Sequence, residues 1–257
     1  MKFAIDAGHN ISGVDTGAKG IIQEDDLTLD VAFDLIELLE GAGHEVVDCT
    51  PSDASSPSDS LRRRVKTAND AEADAFISIH FNAFNGSANG SEVFALSLDG
   101  KKIANAVLRN ITRLGFRDRG VKEAAFYVLR HTTMPAILVE CCFCDNQDDM
   151  NRLDVGDMAR AIAKGLIGDK LPPKSSPEPR KLKVTTETHL KPNTSQVADI
   201  EDQEQVFPIE VGEYPILDSG WEEGHYWVLW EDESYGERRF HFVYEGHGEV
   251  LDASSGT

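Results

Sequence analysis

The sequence predicts a large α/β domain, with a mostly parallel, twisted sheet flanked by helices, followed by a small all-β domain. Apolar strand-like runs alternate with segments of helical periodicity up to about residue 168, which is the pattern of βα units in layered folds. Beyond residue 180 the segments are short and strand-like, with Gly, Asp and Glu between them. We therefore divide the chain into a first domain at 1–171, a linker at 172–179 and a small β domain at 180–257.

The elements of the first domain follow from the periodicity of apolar residues. A short apolar run at 3–5 predicts the opening strand. Residues 24–40 carry apolar side chains at a helical period, and Gly41 and Gly43 end that helix. The other predicted elements are strands at 44–47, 75–79, 90–98, 126–129 and 136–139 and helices at 58–72, 100–114 and 155–168, with Ser58 or Asp59 as the N-cap of the helix at 58–72.

The linker and the small domain are recognised by composition. Residues 172–179 hold four of the ten prolines, which predicts an extended, semi-rigid segment. Strand-like segments at 206–209, 226–230 and 239–244 follow, and all three tryptophans (Trp221, Trp227, Trp230) lie in this part. This pattern predicts a small antiparallel β domain.

The charge of the chain excludes several classes of partner. The net charge is -20, with 27 acids and 18 bases in residues 1–171 and 17 acids and 6 bases in residues 180–257. Nucleic-acid binding needs clustered Lys and Arg, so we expect no nucleic-acid partner. The absence of 18 consecutive apolar residues predicts no membrane span.

The N-terminus and the cysteines predict where the protein is made. The first residues lack an apolar stretch long enough for a secretory signal, and the four cysteines form no spaced disulfide framework. We expect synthesis in the cytoplasm with reduced thiols.

Polar residues follow the ends of three predicted strands. His9 comes after the first strand, His80 ends the strand at 75–79, and Glu140 ends the strand at 136–139. Ligands of open α/β sheets bind beyond the carboxyl ends of strands, and Glu24 opens a helix near the same edge. Two histidines and one glutamate are a common ligand set for catalytic zinc, with a further glutamate as base. Taken singly, each residue is also compatible with a hydrogen-bonded loop position, a helix cap or an ion pair.

Several segments together resemble one enzyme family. They read IDAGH at 5–9, GAKG at 17–20 with Glu24, SLRRRV at 60–65, AN at 68–69, ADAFISIHFNA at 73–83, RGVK at 119–122, FYVLR at 126–130 and MPAILVE at 134–140. In this order the chain resembles the zinc-dependent N-acetylmuramoyl-L-alanine amidases of the type-3 family over about residues 2–168.

The resemblance implies a site and a reaction. It implies that His9, Glu24 and His80 bind one Zn²⁺ ion and that Glu140 is the catalytic carboxylate. It implies hydrolysis of the peptidoglycan amide between N-acetylmuramic acid and L-alanine, with zinc activating water and Glu140 transferring protons. Alternatives are a zinc peptidase that cuts within the stem peptide, and a non-catalytic wall-binding protein.

Some residues near the proposed site are open to two interpretations. Three cysteines (Cys141, Cys142, Cys144) follow Glu140; they are expected to be small buried hydrophobes, with thiolate ligation of zinc as the alternative. Asp6 could orient His9 or cap the adjacent turn, and Asn82 could contact substrate or stabilise its loop. Arg62, Arg63 and Arg64 are expected to be solvated or ion-paired, and six histidines (44, 131, 189, 225, 241 and 247) to be structural or exposed.

The small β domain weakly resembles the SH3-like modules of lytic enzymes. Its aromatic residues either bind the cell wall or form the core of a domain with few other large side chains; a spacer or dimerisation role is the further alternative. We expect a monomeric, endolysin-like lytic enzyme that acts on the wall, released from a phage-infected host or exported as a secreted amidase.

Overall fold

The computed structural model of the chain describes residues 1–9, 15–51, 54–171, 180–192, 194–200, 203–216, 218–222, 224–230, 235 and 240–251. The chain divides into two compact units, Met1–Pro173 and Lys174–Thr257. The predicted linker at 172–179 lies outside the described residues. Within the described part, every helix is too short or too polar to cross a membrane.

The first unit is an α/β fold built around one six-stranded sheet. Its strands are β1 (Lys2–Ala7), β2 (Glu45–Asp48), β3 (Ala75–Asn82), β4 (Ser91–Phe94), β5 (Asp118–Lys122) and β6 (Ala136–Phe143). Its helices are α1 (Glu24–Gly41), α2 (Pro57–Asp70), α3 (Leu98–Thr112), α4 (Tyr127–His131), α5 (Gln147–Arg152) and α6 (Val155–Ile167). The predicted α/β class is confirmed.

The sheet is mixed: four of its five described strand pairs are parallel, as expected, and one is antiparallel. The strand order is β2-β1-β3-β6-β4-β5, and β2, β1, β3 and β6 pair in parallel. β4 pairs antiparallel with β6 and parallel with β5. The connection from β3 to β4, residues 83–90, contains no helix, and a parallel crossover needs a longer connection that usually contains one.

Helices cover the two faces of this sheet. Ala4, Phe76 and Leu138 pack in a core cluster with residues of α2 and α4. Since side chains alternate along a strand, their neighbours Ile5 and Ile77 point to the opposite face, where α1, α3 and α6 pack together. The face under α2 and α4 continues into His80, four residues after Phe76 on β3, and into Glu140, two residues after Leu138 on β6.

Local structure differs from the prediction at three places. Residues 126–129 are not a strand, because α4 begins at Tyr127; a short apolar run cannot distinguish a strand from a buried helix. Ser56 is the N-cap of α2, ahead of the predicted Ser58 or Asp59, and its side chain accepts a hydrogen bond from the Asp59 amide. The polar edge strand β5, of sequence DRGVK, has no apolar pattern from which it could be predicted.

The second unit consists of short strands and 3₁₀ turns. Its strands are β7 (Arg180–Val184), β8 (Thr188–Leu190), β9 (Phe207–Ile209), β10 (Gly212–Ile216), β11 (Asp218–Glu222), β12 (His225–Leu229), β13 (Phe240–Tyr244) and β14 (Gly248–Leu251). Among the described residues they form sheets of order β10-β7-β14, β11-β12-β13 and β8-β9, with antiparallel pairing throughout. Leu182, Val228, Trp230 and Val243 lie in the core of the unit.

Candidate metal centre

Three predicted ligands meet at one edge of the first sheet. His9 follows β1, Glu24 is the first residue of α1, and His80 lies on β3. One ligand atom of each lies within 4.8 Å of the others. Glu24 Oε1 is 3.2 Å from His80 Nδ1 and 3.4 Å from His9 Nε2. The described structure therefore brings together a nitrogen–oxygen–nitrogen donor set that suits zinc.

Glycine at position 8 lets the loop after β1 pass directly over the His80 ring. A Cβ on Gly8 would lie 2.3 Å from His80 Cε1, so any larger residue would displace that ring. His9 itself has a left-handed backbone, with φ of 66°. The Gly8 amide donates to the Ile79 carbonyl at 2.7 Å, and the Thr28 hydroxyl donates to the Gly8 carbonyl at 3.0 Å. The loop is thus fixed to both β3 and α1.

Glu24 is held as a buried, ionised acceptor. Its Oε2 accepts from the Ala18 amide at 2.7 Å, and its Oε1 accepts from the Phe81 amide at 3.0 Å. Burial alone would raise the pKa of Glu24, but hydrogen bonds with His80 and His9 hold that pKa well below its ordinary value. The side chain is only 4% exposed, so its charge acts in a medium of low polarity.

Arg64 supports the first histidine from α2. Its guanidinium donates to the carbonyl of His9, to the carbonyl of Ala7 and to the carboxylate of Asp6. Asp6 also accepts from the Ser78 hydroxyl at 2.7 Å. Arg64 is ion-paired as expected but is 1% exposed, and its contact with the His9 backbone was missed. Asp6 therefore acts on His9 through Arg64, and the described structure shows no direct bond between Asp6 and His9.

Glu140 lies beside His80 in the sheet. The register pairs His80 of β3 with Glu140 of β6, and Glu140 with Glu92 of β4. Glu140 Oε2 is buried, and no described residue gives it a hydrogen-bond partner. Burial raises the pKa of Glu140 to about 7, so this carboxyl group can both accept and donate a proton near neutral pH.

Glu92 extends the row of paired positions formed by His80 and Glu140. The sequence did not predict it as a residue of this site. It is 5% exposed and accepts from Arg119 Nε at 2.7 Å and from Lys122 Nζ. Burial opposes its ionisation, but these two cations hold the pKa of Glu92 below its ordinary value. Asn82, an ambiguous residue in the sequence, has its Nδ2 3.5 Å from Glu92 Oε1. Glu92 lacks a sequence signal because it sits inside a short strand rather than at its end.

A cavity of about 370 Å³ opens onto the proposed ligands and the base. His9, Glu24, His80 and Glu140 line it together with side chains from α2 and α4, including Leu61, Tyr127 and Val128. The residues at 126–128 that the sequence placed in a strand therefore form part of the wall of this cavity.

The cysteines after Glu140 are core residues. Cys141, Cys142 and Cys144 are each 0% exposed and not in disulfides, which confirms the expectation of small buried hydrophobes. Burial raises the pKa of Cys144 to about 12 and raises that of the other two still further. Among the described residues, the cluster of possible metal ligands contains His9, Glu24 and His80 and none of these cysteines, which argues against the alternative of thiolate ligation.

The α/β sheet, with two histidines and a glutamate at one edge beside a buried glutamate, defines a candidate metal-dependent hydrolytic centre. The family model described as N-acetylmuramoyl-L-alanine amidase, Amidase_3, matches residues 3–168. The chain therefore belongs to this amidase family.

Three similar proteins illustrate the relationship. The chain is 37% identical over 172 residues to the N-acetylmuramoyl-L-alanine amidase CwlM of Bacillus licheniformis, an alignment that covers 64% of this chain and 65% of CwlM. It is 34% identical over 171 residues to the endolysin of Bacillus phage SPP1, with 63% and 61% covered. The solved catalytic domain of the CD27L endolysin targeting Clostridia difficile has a TM-score of 0.60 at 28% identity, with 65% of this chain and 97% of that domain covered. The matched region spans less than two thirds of both curated relatives.

Proposed function

We propose that this protein is a peptidoglycan amidase that hydrolyses the bond between N-acetylmuramic acid and L-alanine. The observation that carries the proposal is the juxtaposition of His9, Glu24 and His80 with Glu140 beside His80 in the sheet, in a chain of the amidase family. Relatives named as amidase and endolysin support the same substrate.

One zinc ion fits the residues of this site. The donor set is two imidazoles and one carboxylate, which is typical of catalytic zinc and leaves a position for water. His9 Nδ1 and Glu140 Oε2 are buried atoms to which the described residues give no hydrogen-bond partner, as expected where a further group completes a site. Zinc held by His9, Glu24 and His80 would supply Lewis acidity that activates water and polarises a carbonyl.

The side chains around the ion would divide the remaining work. Glu140, whose pKa is raised to about 7, would accept a proton from the attacking water and return one to the leaving amine of L-alanine. Glu24 stays ionised, because its pKa is held well below its ordinary value, so its carboxylate would be ready to bind the ion beside the two imidazoles. The apolar wall formed by Leu61, Tyr127 and Val128 would bind the substrate and limit the access of bulk water.

Mass spectrometry of digested peptidoglycan tests the proposal. We expect release of intact stem peptides whose L-alanine amine is free. New ends inside the stem peptide would instead identify the zinc peptidase, and an unchanged digest would identify a non-catalytic wall-binding protein.

The base and the metal are tested separately. Glu140→Gln should keep stoichiometric zinc, measured by atomic absorption, while turnover falls about 10²–10⁴-fold because general acid–base catalysis is lost. Removal of zinc with a chelator should abolish turnover, and zinc should restore it. An active Glu140→Gln variant would contradict the assignment of the base.

We further propose that the second unit is an SH3-like module that holds the enzyme on the cell wall, joined by the segment at 172–179. Support comes from its antiparallel strands and its aromatic content. On this proposal the protein is a monomer with a lytic role at the cell wall, as the name of the related phage endolysin suggests.

A further inference from the structure

The second unit contains a pocket of its own. It is a cavity of about 450 Å³ near β8, β12 and the turn at Glu245–His247. We call it the basic pocket, because among the residues that line it are Lys191, His189, His225 and His247, with Tyr244 and Glu187. From the sequence, these histidines were expected to be structural or exposed.

Lys191 is the unusual member of the basic pocket. It is 5% exposed, and its Nζ donates to the Ser195 carbonyl at 2.7 Å and lies 2.8 Å from His225 Nε2. Its backbone is fixed by paired hydrogen bonds with Phe242, at 3.0 and 2.8 Å. A lysine ammonium has three donors. The Ser195 carbonyl and the His225 ring use two of them, which leaves one donor for another group.

Among the described residues, the ammonium group of Lys191 forms no ion pair, although Glu187 also lines the pocket. Burial lowers the pKa of the Lys191 amine. The two other described lysines of the unit behave differently: Lys181 pairs with Glu213 and Lys183 pairs with Glu249 on the surface. A buried cation is costly unless an anion compensates it.

We propose that the basic pocket binds the free carboxylate of a short peptide, with Lys191 as its charge partner. The remaining ammonium donor would point to one carboxylate oxygen, forming a charge-assisted hydrogen bond. The rings of Tyr244 and His225 lie edge to face at 5.6 Å, and those of Tyr244 and His247 at 5.1 Å. These rings would contact a small apolar side chain next to the carboxylate.

Net charge distinguishes a peptide carboxylate from a polyanion. Residues 180–257 hold 17 acids against 6 bases, and Glu187 lies at the exposed edge of the pocket. A polymer with many phosphates would be repelled by this field, whereas a ligand with a single negative charge needs only Lys191. This inference does not rest on the proposed amidase reaction, since the pocket lies within the second unit.

Titration of the isotope-labelled full-length protein tests the proposal. The probes are N-acetyl-D-alanine, its uncharged amide, and inorganic phosphate, followed by NMR shifts of residues in the basic pocket. We expect saturable shifts with the acid and about tenfold weaker binding of the amide, because the charge-assisted bond is lost. Equal binding of acid and amide would overturn the proposal, and so would tighter binding of phosphate than of the acid.

Matched variants assign the effect to Lys191. Lys191→Met should weaken binding of N-acetyl-D-alanine about tenfold, whereas Lys181→Met, the same change at an exposed ion-paired lysine, should leave it unchanged. Unaltered binding by a folded Lys191→Met variant would refute the assignment. If that variant does not fold, the acid–amide comparison on the wild-type protein decides the question alone. Amidase turnover, measured in parallel, should not differ between Lys191→Met and wild type on a soluble muramyl peptide.

Discussion

Arg64 is a buried side chain that positions His9, a proposed zinc ligand, through the His9 backbone and not through its imidazole ring. Its guanidinium holds the carbonyls of Ala7 and His9 and is neutralised by Asp6. Because His9 has a left-handed backbone, which costs energy for a residue with a side chain, these bonds stabilise a conformation that the loop would otherwise leave.

Replacing Arg64 should therefore affect stability and zinc affinity together. Arg64→Gln should lower the free energy of unfolding by about 3–5 kcal/mol, because the charge of Asp6 stays buried without its partner. It should also weaken zinc binding, because the His9 backbone is released. Urea unfolding and competition with a zinc indicator measure the two effects.

The neighbouring arginine provides the control. Arg63 lies on the same helix and is exposed, and it pairs with Asp59, so Arg63→Gln should change stability far less. Adding Asp6→Asn to Arg64→Gln should recover part of the lost stability by removing the unpaired charge. No recovery would contradict the role given to the Asp6–Arg64 pair.

Gly8 is the second residue on which the geometry of the site depends, because the absence of a side chain there leaves room for the His80 ring. Gly8→Ala should weaken zinc binding at least as much as it weakens the fold, since the new Cβ would overlap the His80 ring. Gly156 is a suitable control, because a Cβ there would meet its nearest neighbour at 3.5 Å. Gly156→Ala should leave zinc binding unchanged, and titration with zinc checks both variants.

At the scale of elements, one row of paired positions in the sheet holds the proposed base and one of the proposed zinc ligands. Neighbouring positions on β3, β6 and β4 hold His80, Glu140 and Glu92. The antiparallel direction of β4 brings Glu92, with its two cations, next to the proposed base. Burial is the main cause of the raised pKa of Glu140, and the negative charges of Glu24 and Glu92 add to it, whereas His80 opposes it.

The cluster of Glu92 with Arg119 and Lys122 predicts a pH-dependent stability. The pKa of Glu92 is lowered from its ordinary value of 4.5 in the folded protein. Its contribution to the free energy of unfolding is therefore complete above pH 4.5 and is lost as the pH falls through the lowered pKa. Glu92→Gln should cost about 1–3 kcal/mol at about pH 7 and much less at about pH 3. Urea unfolding at the two pH values measures this difference.

Glu123 provides the comparison for this experiment. It pairs with Lys101 at the surface, where ion pairs contribute little. Glu123→Gln should therefore give a smaller loss of stability than Glu92→Gln at about pH 7. An equal loss in the two variants would indicate that the Glu92 cluster behaves as an ordinary surface ion pair.

The sequence predicts best those strands whose side chains are mostly apolar and buried. β3 and β6 are mostly apolar up to His80 and Glu140, so both the strands and these two polar residues could be recognised, although the strands continue past them. β5, of sequence DRGVK, and β7, of sequence RKLKV, have mostly polar residues and could not. The contact of Arg64 with the His9 backbone and the place of Glu92 beside Glu140 could not be predicted for a related reason. In both cases the partners come from distant segments that only the folded chain brings together.

At the scale of the whole molecule, the two units have separable tasks on our proposal. Residues 1–171 alone should cleave a soluble muramyl peptide at the rate of the full chain, because the complete candidate site lies in the first unit. On intact sacculi, loss of the second unit should lower the rate about tenfold, because the enzyme is no longer held near its substrate. Equal rates on sacculi would show that the second unit does not direct the enzyme to the wall.

The cysteines give the molecule a property that concerns how it opens rather than how it reacts. Three of the four thiols lie on or just after β6, the strand that carries Glu140, and all four are buried and unpaired. A thiol reagent can modify them only when the chain around them opens, so the modification rate of each cysteine reports the opening of its own segment. The modification rates of the three cysteines on or just after β6 therefore report how often this part of the sheet opens. A decrease in these rates when zinc or a wall fragment is added would show that the ligand stabilises this part of the sheet.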